Sequence, residues 1–355
     1  MAAQNARIEY RKKSSSSVST AYYTGSLSEA GTYSVTIAGN LEASSEYEFR
    51  AAIDIKENGS YSTIYGDWVS FSTTAASSNI PSGWLELPAI TGNEDYVGTL
   101  YTTAVDAVSG DEANRNYSFN YSYENYGALW VAYPLRSSDI SGSASTSSWD
   151  YYPTSYIPQK YQVDMTGNSY PTMYNASSYT KGHQIPNADR KSNKVANSQA
   201  YYVTNQTPQI GNKFNGSVWN SLEQAIRDLT QDTDVVYVVT GAAYQTVGGN
   251  ETVKTLTAAS SSTNPQKVPV PNYYWKALLK VKTNSLGEVT DASAIGFWFE
   301  HKEYSGTSYE TGACSVDFIE QKTGFDLFTN LPGDNSSGFE KSAEANTSWT
   351  SFQSF

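Results

Sequence analysis

Four segments of strand length are apolar at nearly every position: residues 129–135 (LWVAYPL), 235–239 (VVYVV), 273–281 (YYWKALLKV) and 295–299 (IGFWF). A strand with one face in water alternates polar and apolar residues, whereas a continuous run has no side to give to solvent. These segments therefore call for a sheet covered on both faces, in a domain large enough to supply the covers. One cover is legible. Val218, Leu222, Ala225, Ile226 and Leu229 recur at the spacing of a single helical stripe. Asn215 or Ser217 is placed to cap that helix, and Glu223 and Arg227 fall one turn apart on a second face. A second helix is expected over residues 315–323, stopped by Gly324. Residues 248–264 read as an insertion loop.

Before residue 84 the pattern changes. Residues 33–37, 46–55 and 67–73 read as strands, parted by turn-rich stretches such as Ala38-Gly39-Asn40 and Glu57-Asn58-Gly59-Ser60. The run NLEASSEYEFRAAI, followed by GSYSTIYGDWVSFSTT, resembles the second half of a fibronectin type III module. In that small β-sandwich a tyrosine precedes the sixth strand, a place that Tyr47 would fill. The stretch TAASSNIPSG is rich in small and turn-forming residues. It divides the chain into a β module over 1–74, a linker over 75–83 and a larger domain over 84–355.

One cysteine, Cys314, excludes an internal disulfide framework and a multi-cysteine zinc site; it reads as a small buried residue. No apolar run is long enough to span a bilayer, and MAAQNARIEY has no apolar signal-peptide core. The net charge of −12 argues against general adhesion to polyanions. The charge is not evenly spread. Residues 181–227 carry six cations (Lys181, Arg190, Lys191, Lys194, Lys213, Arg227) against Asp189 and Glu223, so six minus two leaves a basic island of +4. Such an island would attract a polyanion locally, with an affinity that falls with salt.

Two stretches carry chemistry. YTKGHQIPNADR, residues 179–190, sets His183 after a glycine and between basic residues, and TPQIGNKFNGSVWNSLEQAIR follows at 207–227. Breaking a phosphodiester requires a base to deprotonate water, charge to neutralise the phosphate, and stabilisation of the departing oxygen. Histidine titrates near neutrality and suits the first task. A hard divalent cation serves the others and needs only oxygen donors, water included. Lysine and arginine add charge-assisted bonds to phosphate. His301, the second histidine, follows the FWFE strand and reads as an exposed strand-end residue.

Together the two stretches resemble the DNA/RNA non-specific endonuclease family, the ββα-metal nucleases of the Serratia and endonuclease G type. The likeness rests on Gly182-His183 with Ile185-Pro186 and Ala188-Asp189-Arg190, on Pro208-Gln209, and on Asn215 with Trp219, Leu222-Glu223 and Arg227. It extends over most of 84–332, including DVVYVVTGAAY and SVDFIEQKTGFDLFTNLP. The resemblance implies an α+β domain of the ββα-metal type with a mixed or antiparallel sheet core. It implies His183 as general base and Asn215 as the one protein ligand of a magnesium ion, with manganese or calcium as alternatives. Glu223 would orient water beside that ion, Arg227 would be catalytic, and Lys181 and Arg190 would bind phosphate. The substrates would be DNA and RNA, cut to 5′-phosphate ends through contacts with the backbone. A β module joined to such a domain resembles exported bacterial proteins, which implies a secreted, periplasmic or cell-surface setting.

The chain departs from the family pattern in three places. Thr180-Lys181 replaces an Asp-Arg pair, which keeps the charge and loses the bidentate fork. One extra residue lies between Pro208 and Asn215 and is expected in a loop around Gly211. The family's arginine ahead of the aromatic at Trp149 is absent; residues 143–148 read SASTSS, and Arg136 is the nearest upstream arginine. The second reading that follows is a nuclease-like surface protein that binds nucleic acid or glycan without cutting.

Overall fold

The computed structural model describes residues 2–25, 27, 33, 35, 45–72, 84–102, 115–165, 178–244, 252–258, 266–332 and 339–355. The chain divides into two compact units, Met1–Ile80 and Pro81–Phe355. The stretch expected as a linker lies outside the described residues, as does most of the strand expected over 33–37.

The described part of the first unit is one antiparallel sheet. Its strands are β1 (Ala2–Lys12), β2 (Ser19–Tyr22), β3 (Glu46–Glu57), β4 (Ser60–Tyr65) and β5 (Val69–Ser72), in the order β2-β1-β3-β4 with β5 also on β3. Asn58 and Gly59 both have positive φ (48° and 88°), the turn that matches the twist of a two-residue hairpin between β3 and β4. Tyr47 is buried and stacks on Phe71 with centroids 5.7 Å apart. The all-β reading holds here, but a second layer, as the expected sandwich requires, is not found among the described residues.

The second unit is built on a seven-stranded sheet of order β16-β15-β14-β11-β8-β7-β6. Its strands are β6 (Tyr96–Tyr101), β7 (Arg115–Ser122), β8 (Gly127–Leu135), β11 (Val236–Ala243), β14 (Tyr273–Thr283), β15 (Val289–Glu300) and β16 (Ala313–Cys314). Every pairing is antiparallel. The four apolar runs became β8, β11, β14 and β15. Cross-strand rows such as Val131–Thr240–Lys276–Phe297 fix which side chains share a face. Two ribbons complete the strands: β9 (Tyr179–His183) with β10 (Gln206–Ile210), and β12 (Thr255–Thr257) with β13 (Lys267–Pro269).

Six helices accompany them among the described residues: α1 (Ser137–Ile140), α2 (Lys194–Gln199), α3 (Asn220–Leu229), α4 (Val316–Thr323), α5 (Phe339–Glu344) and α6 (Trp349–Gln353). None is long and apolar enough to cross a membrane. Leu222, Ile226 and Leu229 of α3 join Val131, Tyr133, Val238, Tyr274, Leu278 and Phe297 in one buried cluster, so α3 covers one face of the sheet. Phe318 of α4 meets Trp298 at 6.0 Å and Phe325 meets Trp275 at 6.3 Å, which covers the other. Helix α4 has the expected ends: the Ser315 side chain accepts from the Phe318 N–H, and Gly324 stops it at φ 77°. Cys314 is largely buried and its thiol is pushed up to about 12 by desolvation, in keeping with a packing role.

Helix α3 lacks the side-chain cap expected from Asn215 or Ser217. Instead Gly211–Trp219 forms a wide π-type turn ahead of it, broken at Ser217 (φ −126°, ψ −113°), and the Asn220 N–H reaches back to the Asn215 carbonyl. A π turn closes one residue later than an α turn. Gly211, where a loop was expected, is the first residue of the wide turn ahead of α3.

Leu222 is fully buried in this layer. Leu222→Ala is expected to cost about 3 kcal/mol of stability from lost transfer and cavity terms. Urea unfolding of the parent and the variant would measure it, and a loss under 1 kcal/mol would contradict the packing described.

Candidate nuclease active site

The ribbon β9–β10 feeds directly into the π turn and α3, a ββα unit, and pairs His183 with Gln206 in register. Tyr274 on the main sheet anchors the ribbon: its hydroxyl donates to the Pro208 carbonyl (2.9 Å) and accepts from Thr207 Oγ1 (2.8 Å). Gly182 is required by space: a Cβ there would lie 2.1 Å from Gln209 Cδ, inside a fully buried side chain. The residue before His183 is small because the second strand of the ribbon leaves it no room.

His183 sits at the end of β9 in an aromatic box. Its ring lies 4.7 Å from Trp149 and 4.9 Å from Tyr201, and those two rings are 5.2 Å apart. Tyr201 is held by a 2.6 Å bond from Asn187. Asn205 clamps the segment after the histidine, accepting from the Ile185 N–H and donating to the Ile185 and Ala200 carbonyls. His183 Nε2 is buried without a hydrogen-bond partner among the described residues. Desolvation holds its pKa down to about 4, so the imidazole is neutral at pH 7 and able to accept a proton.

Asn215 lies in the π turn, half-buried. No hydrogen bond among the described residues uses its side-chain amide. An oxygen-seeking divalent cation that keeps most of its waters fits such a donor. Among the described residues the one cluster of three candidate metal-binding acids, Asp317, Glu320 and Glu344, joins α4 and α5, away from the ribbon.

Behind α3 lies a charged network that burial makes consequential. Arg227 donates to Asp189 Oδ1 at 2.9 Å, and Tyr133 donates to Asp189 Oδ2 at 2.9 Å. The second terminal nitrogen of Arg227 reaches Gln224. Burial works against the Arg227 charge, but Asp189 and Glu223 outweigh it and raise its pKa. Burial pushes the Glu223 carboxyl above its ordinary range; Lys276 and Arg227 oppose the rise and Asp189 adds to it. Lys276 is wholly buried, and desolvation lowers its pKa against the pull of Glu223 and Asp189. Sequence reasoning passed over Lys276, although a lysine at the centre of the apolar run YYWKALLKV was the available signal.

The basic island is mostly absorbed by the protein itself. Arg190, expected to bind phosphate, is 4% exposed, and its guanidinium bonds Asn116 Oδ1 (2.6 Å) and the carbonyls of Asp189, Asn116 and Pro134. That expectation is corrected: Arg190 is an interior strut. Lys191 and Lys194 donate to the carbonyls of Ala144 and Ser145, which tie down the hydroxyl-rich stretch before Trp149. Lys213 pairs with Glu303 at 2.6 Å on the surface. Lys181 stands two residues from His183 and so on the same face of β9; it is buried, and desolvation lowers its pKa to about 8. Arg136 lines a different cleft, with Thr230, Asp232 and Lys280.

His301 is not the exposed strand-end residue expected. Its Nδ1 meets the Pro271 carbonyl at 2.8 Å, and Nε2 accepts from the Ile210 N–H at 2.9 Å. A carbonyl can only accept, so Nδ1 carries the proton and the ring is neutral. His301 thereby pins the point where the ribbon becomes helix.

The sequence matches the DNA/RNA non-specific endonuclease family over residues 97–334, more than half of the chain, and the protein belongs to that family. It is 28% identical over 188 residues to Nuclease 1, mitochondrial, of Schizosaccharomyces pombe, an alignment covering 52% of this chain and 55% of that protein. It is 26% identical to the Nostoc nuclease (61% of this chain, 72% of that one) and 26% identical to bovine mitochondrial endonuclease G (54% and 62%). The chain spans about half the length of several of the relatives it matches. Among solved structures, the EndoG/EndoGI complex is 22% identical, covering 63% of this chain and 89% of that one, with a TM-score of 0.49.

Desolvation lowers the His301 pKa to about 4 from an ordinary 6.5, with Lys254 adding to the effect and the Pro271 contact opposing it. The unfolded chain therefore takes up the proton first, and stability falls as pH drops from 6.5 toward 4. Urea midpoints measured across that range should decline, and His301→Gln should flatten the decline. A variant with the slope of the parent would remove His301 as a contributor.

Proposed function

We propose that the chain is a metal-dependent, sugar-nonspecific endonuclease that hydrolyses DNA and RNA to 5′-phosphate ends. The observation that carries this reading is the neutral His183, whose buried Nε2 lacks a hydrogen-bond partner among the described residues, on a ribbon that runs straight into the turn bearing Asn215. His183 accepts the proton of the attacking water at Nε2. Trp149 and Tyr201 pack against its ring and hold it in place. Asn215 would hold magnesium through its amide oxygen, with manganese or calcium as substitutes. When bound, the ion supplies charge to the phosphate and to the departing oxygen. Glu223 orients water beside Asn215. Arg227, committed to Asp189, serves by fixing α3 against residues 187–190. Lys181 offers the cation nearest His183 in sequence. A desolvated amine gains strength toward phosphate because less water competes for it.

A second reading is favoured by one specific observation. The stretch before Trp149 carries hydroxyls where the family resemblance implies an arginine, and Arg136 lines another cleft. A protein without that cation could retain nucleic acid or glycan and cut slowly. An extracytoplasmic setting is part of the proposal, since an unrestrained nuclease endangers its host; fractionation that found the protein only in the cytosol would remove it.

Digestion of plasmid and RNA, with and without EDTA, tests the first reading. Cleavage should stop with the chelator, His183→Ala should lower the rate by roughly 10²–10⁴, and Asn215→Ala should abolish metal-dependent cutting. A His183→Ala variant that cuts as fast as the parent would dismiss the assigned base. An uncleaving parent that still retards DNA on a gel would favour the second reading.

A further inference from the structure

Lys276 lies in the middle of β14, wholly buried, on the sheet face covered by α3. Its ammonium donates to Thr240 Oγ1 at 3.0 Å and stands 4.5 Å from the centroid of Trp219. A hydroxyl and a ring do not neutralise an interior ammonium, which needs an anion close by. Glu223 and Asp189 supply negative charge that acts on it through space, although neither carboxylate lies within 4.0 Å of the ammonium as an ion pair. Asp189 is already engaged by Arg227 and Tyr133. Glu223 follows Trp219 by four residues, one turn along the same helical face. The ring under the ammonium and the carboxylate therefore lie on the same side of the helix.

We propose that Lys276 is a positioning residue that keeps the Glu223 carboxylate ionised and turned toward the His183–Asn215 centre. The inference rests on the nuclease reading only for the use to which Glu223 is put. Four charged or titratable groups act on that carboxylate: Lys276 on β14, Asp189 in residues 187–190, Arg227 on its own helix and Tyr133 on β8. Without the lysine, burial and Asp189 both favour the protonated acid, and Arg227, already bonded to Asp189, is the remaining counterweight. A neutral carboxylic acid orients water differently, because one of its oxygens becomes a donor.

The test is the pH dependence of plasmid cleavage by Lys276→Met, Lys276→Arg, Glu223→Gln and the double variant Lys276→Met/Glu223→Gln. Lys276→Met should move the acid limb of kcat/KM upward by at least about one pH unit, so that it loses at least about tenfold near pH 6.5 and recovers toward pH 9. Lys276→Arg should restore the parent's limb. Glu223→Gln should lower the rate at all pH values, and adding Lys276→Met to it should move the limb no further. A Lys276→Met profile lowered uniformly, with the limb unmoved, overturns the proposal. Should Lys276→Met fold too poorly to assay, urea unfolding of the double variant decides: a double variant more stable than Lys276→Met alone supports the pair, and additive losses reject it. Coupling in stability together with a fully active His183→Ala would keep the pair and discard the nuclease reading. An inactive His183→Ala with an unmoved Lys276→Met limb would do the reverse.

Discussion

Packing α3 against the seven-stranded sheet sets the terms for the rest of the second unit. The helix buries Leu222, Ile226 and Leu229 on a face made by Val131, Tyr133, Val238, Tyr274 and Leu278. That contact stabilises the domain through apolar area, and it also carries Arg227 out of water and leaves Glu223 half-buried. Charges in that position survive only when each finds a counterpart. Asp189, which Tyr133 also bonds, is the counterpart of Arg227, and Lys276 of β14 is the one proposed for Glu223. The hydrophobic layer and the electrostatic network are thus one construction. The helix cannot slide along the sheet without separating its charges.

The same layer explains why the ribbon β9–β10 is rigid where the chemistry needs it. Tyr274 ties β10 to the sheet, His301 ties the end of β10 to residue 271, and Gln209 fills the space that a side chain at Gly182 would need. His183 and Asn215 then lie on opposite ends of a short path through braced backbone. In the proposed roles of base and metal donor, their placement would matter more than their strength, because misplacement by about an ångström can cost on the order of 10²-fold in rate.

Charge counted along the chain and charge available to a ligand turned out to be different quantities. Six cations within residues 181–227 suggested a basic surface. Arg190 and Arg227 hold the interior together, Lys191 and Lys194 fasten the stretch before Trp149, and Lys213 answers Glu303. Lys181, itself buried and engaged, is the cation nearest the histidine in sequence. The steering of a polyanion toward this site therefore depends on fewer groups than composition implies, and its dependence on salt should be correspondingly shallower.

Sequence alone determined the sheet and its covers. Runs such as LWVAYPL and the stripe from Val218 to Leu229 admit few arrangements, because apolar surface must leave water and the periods of strand and helix differ. It also determined the Gly182-His183 and Asn215 elements, since ordered motifs survive in linear spacing. The partners brought together from distant segments were decided only by the tertiary structure. Lys276 lies 53 positions from Glu223, and His301 lies 91 from Ile210. Whether a cation serves substrate or scaffold, whether the segment at Gly211 makes a loop or a π turn, and whether a histidine is neutral depend on what surrounds each group in space. A one-dimensional pattern records residue identity and period, but not the desolvation or the neighbours that set those outcomes.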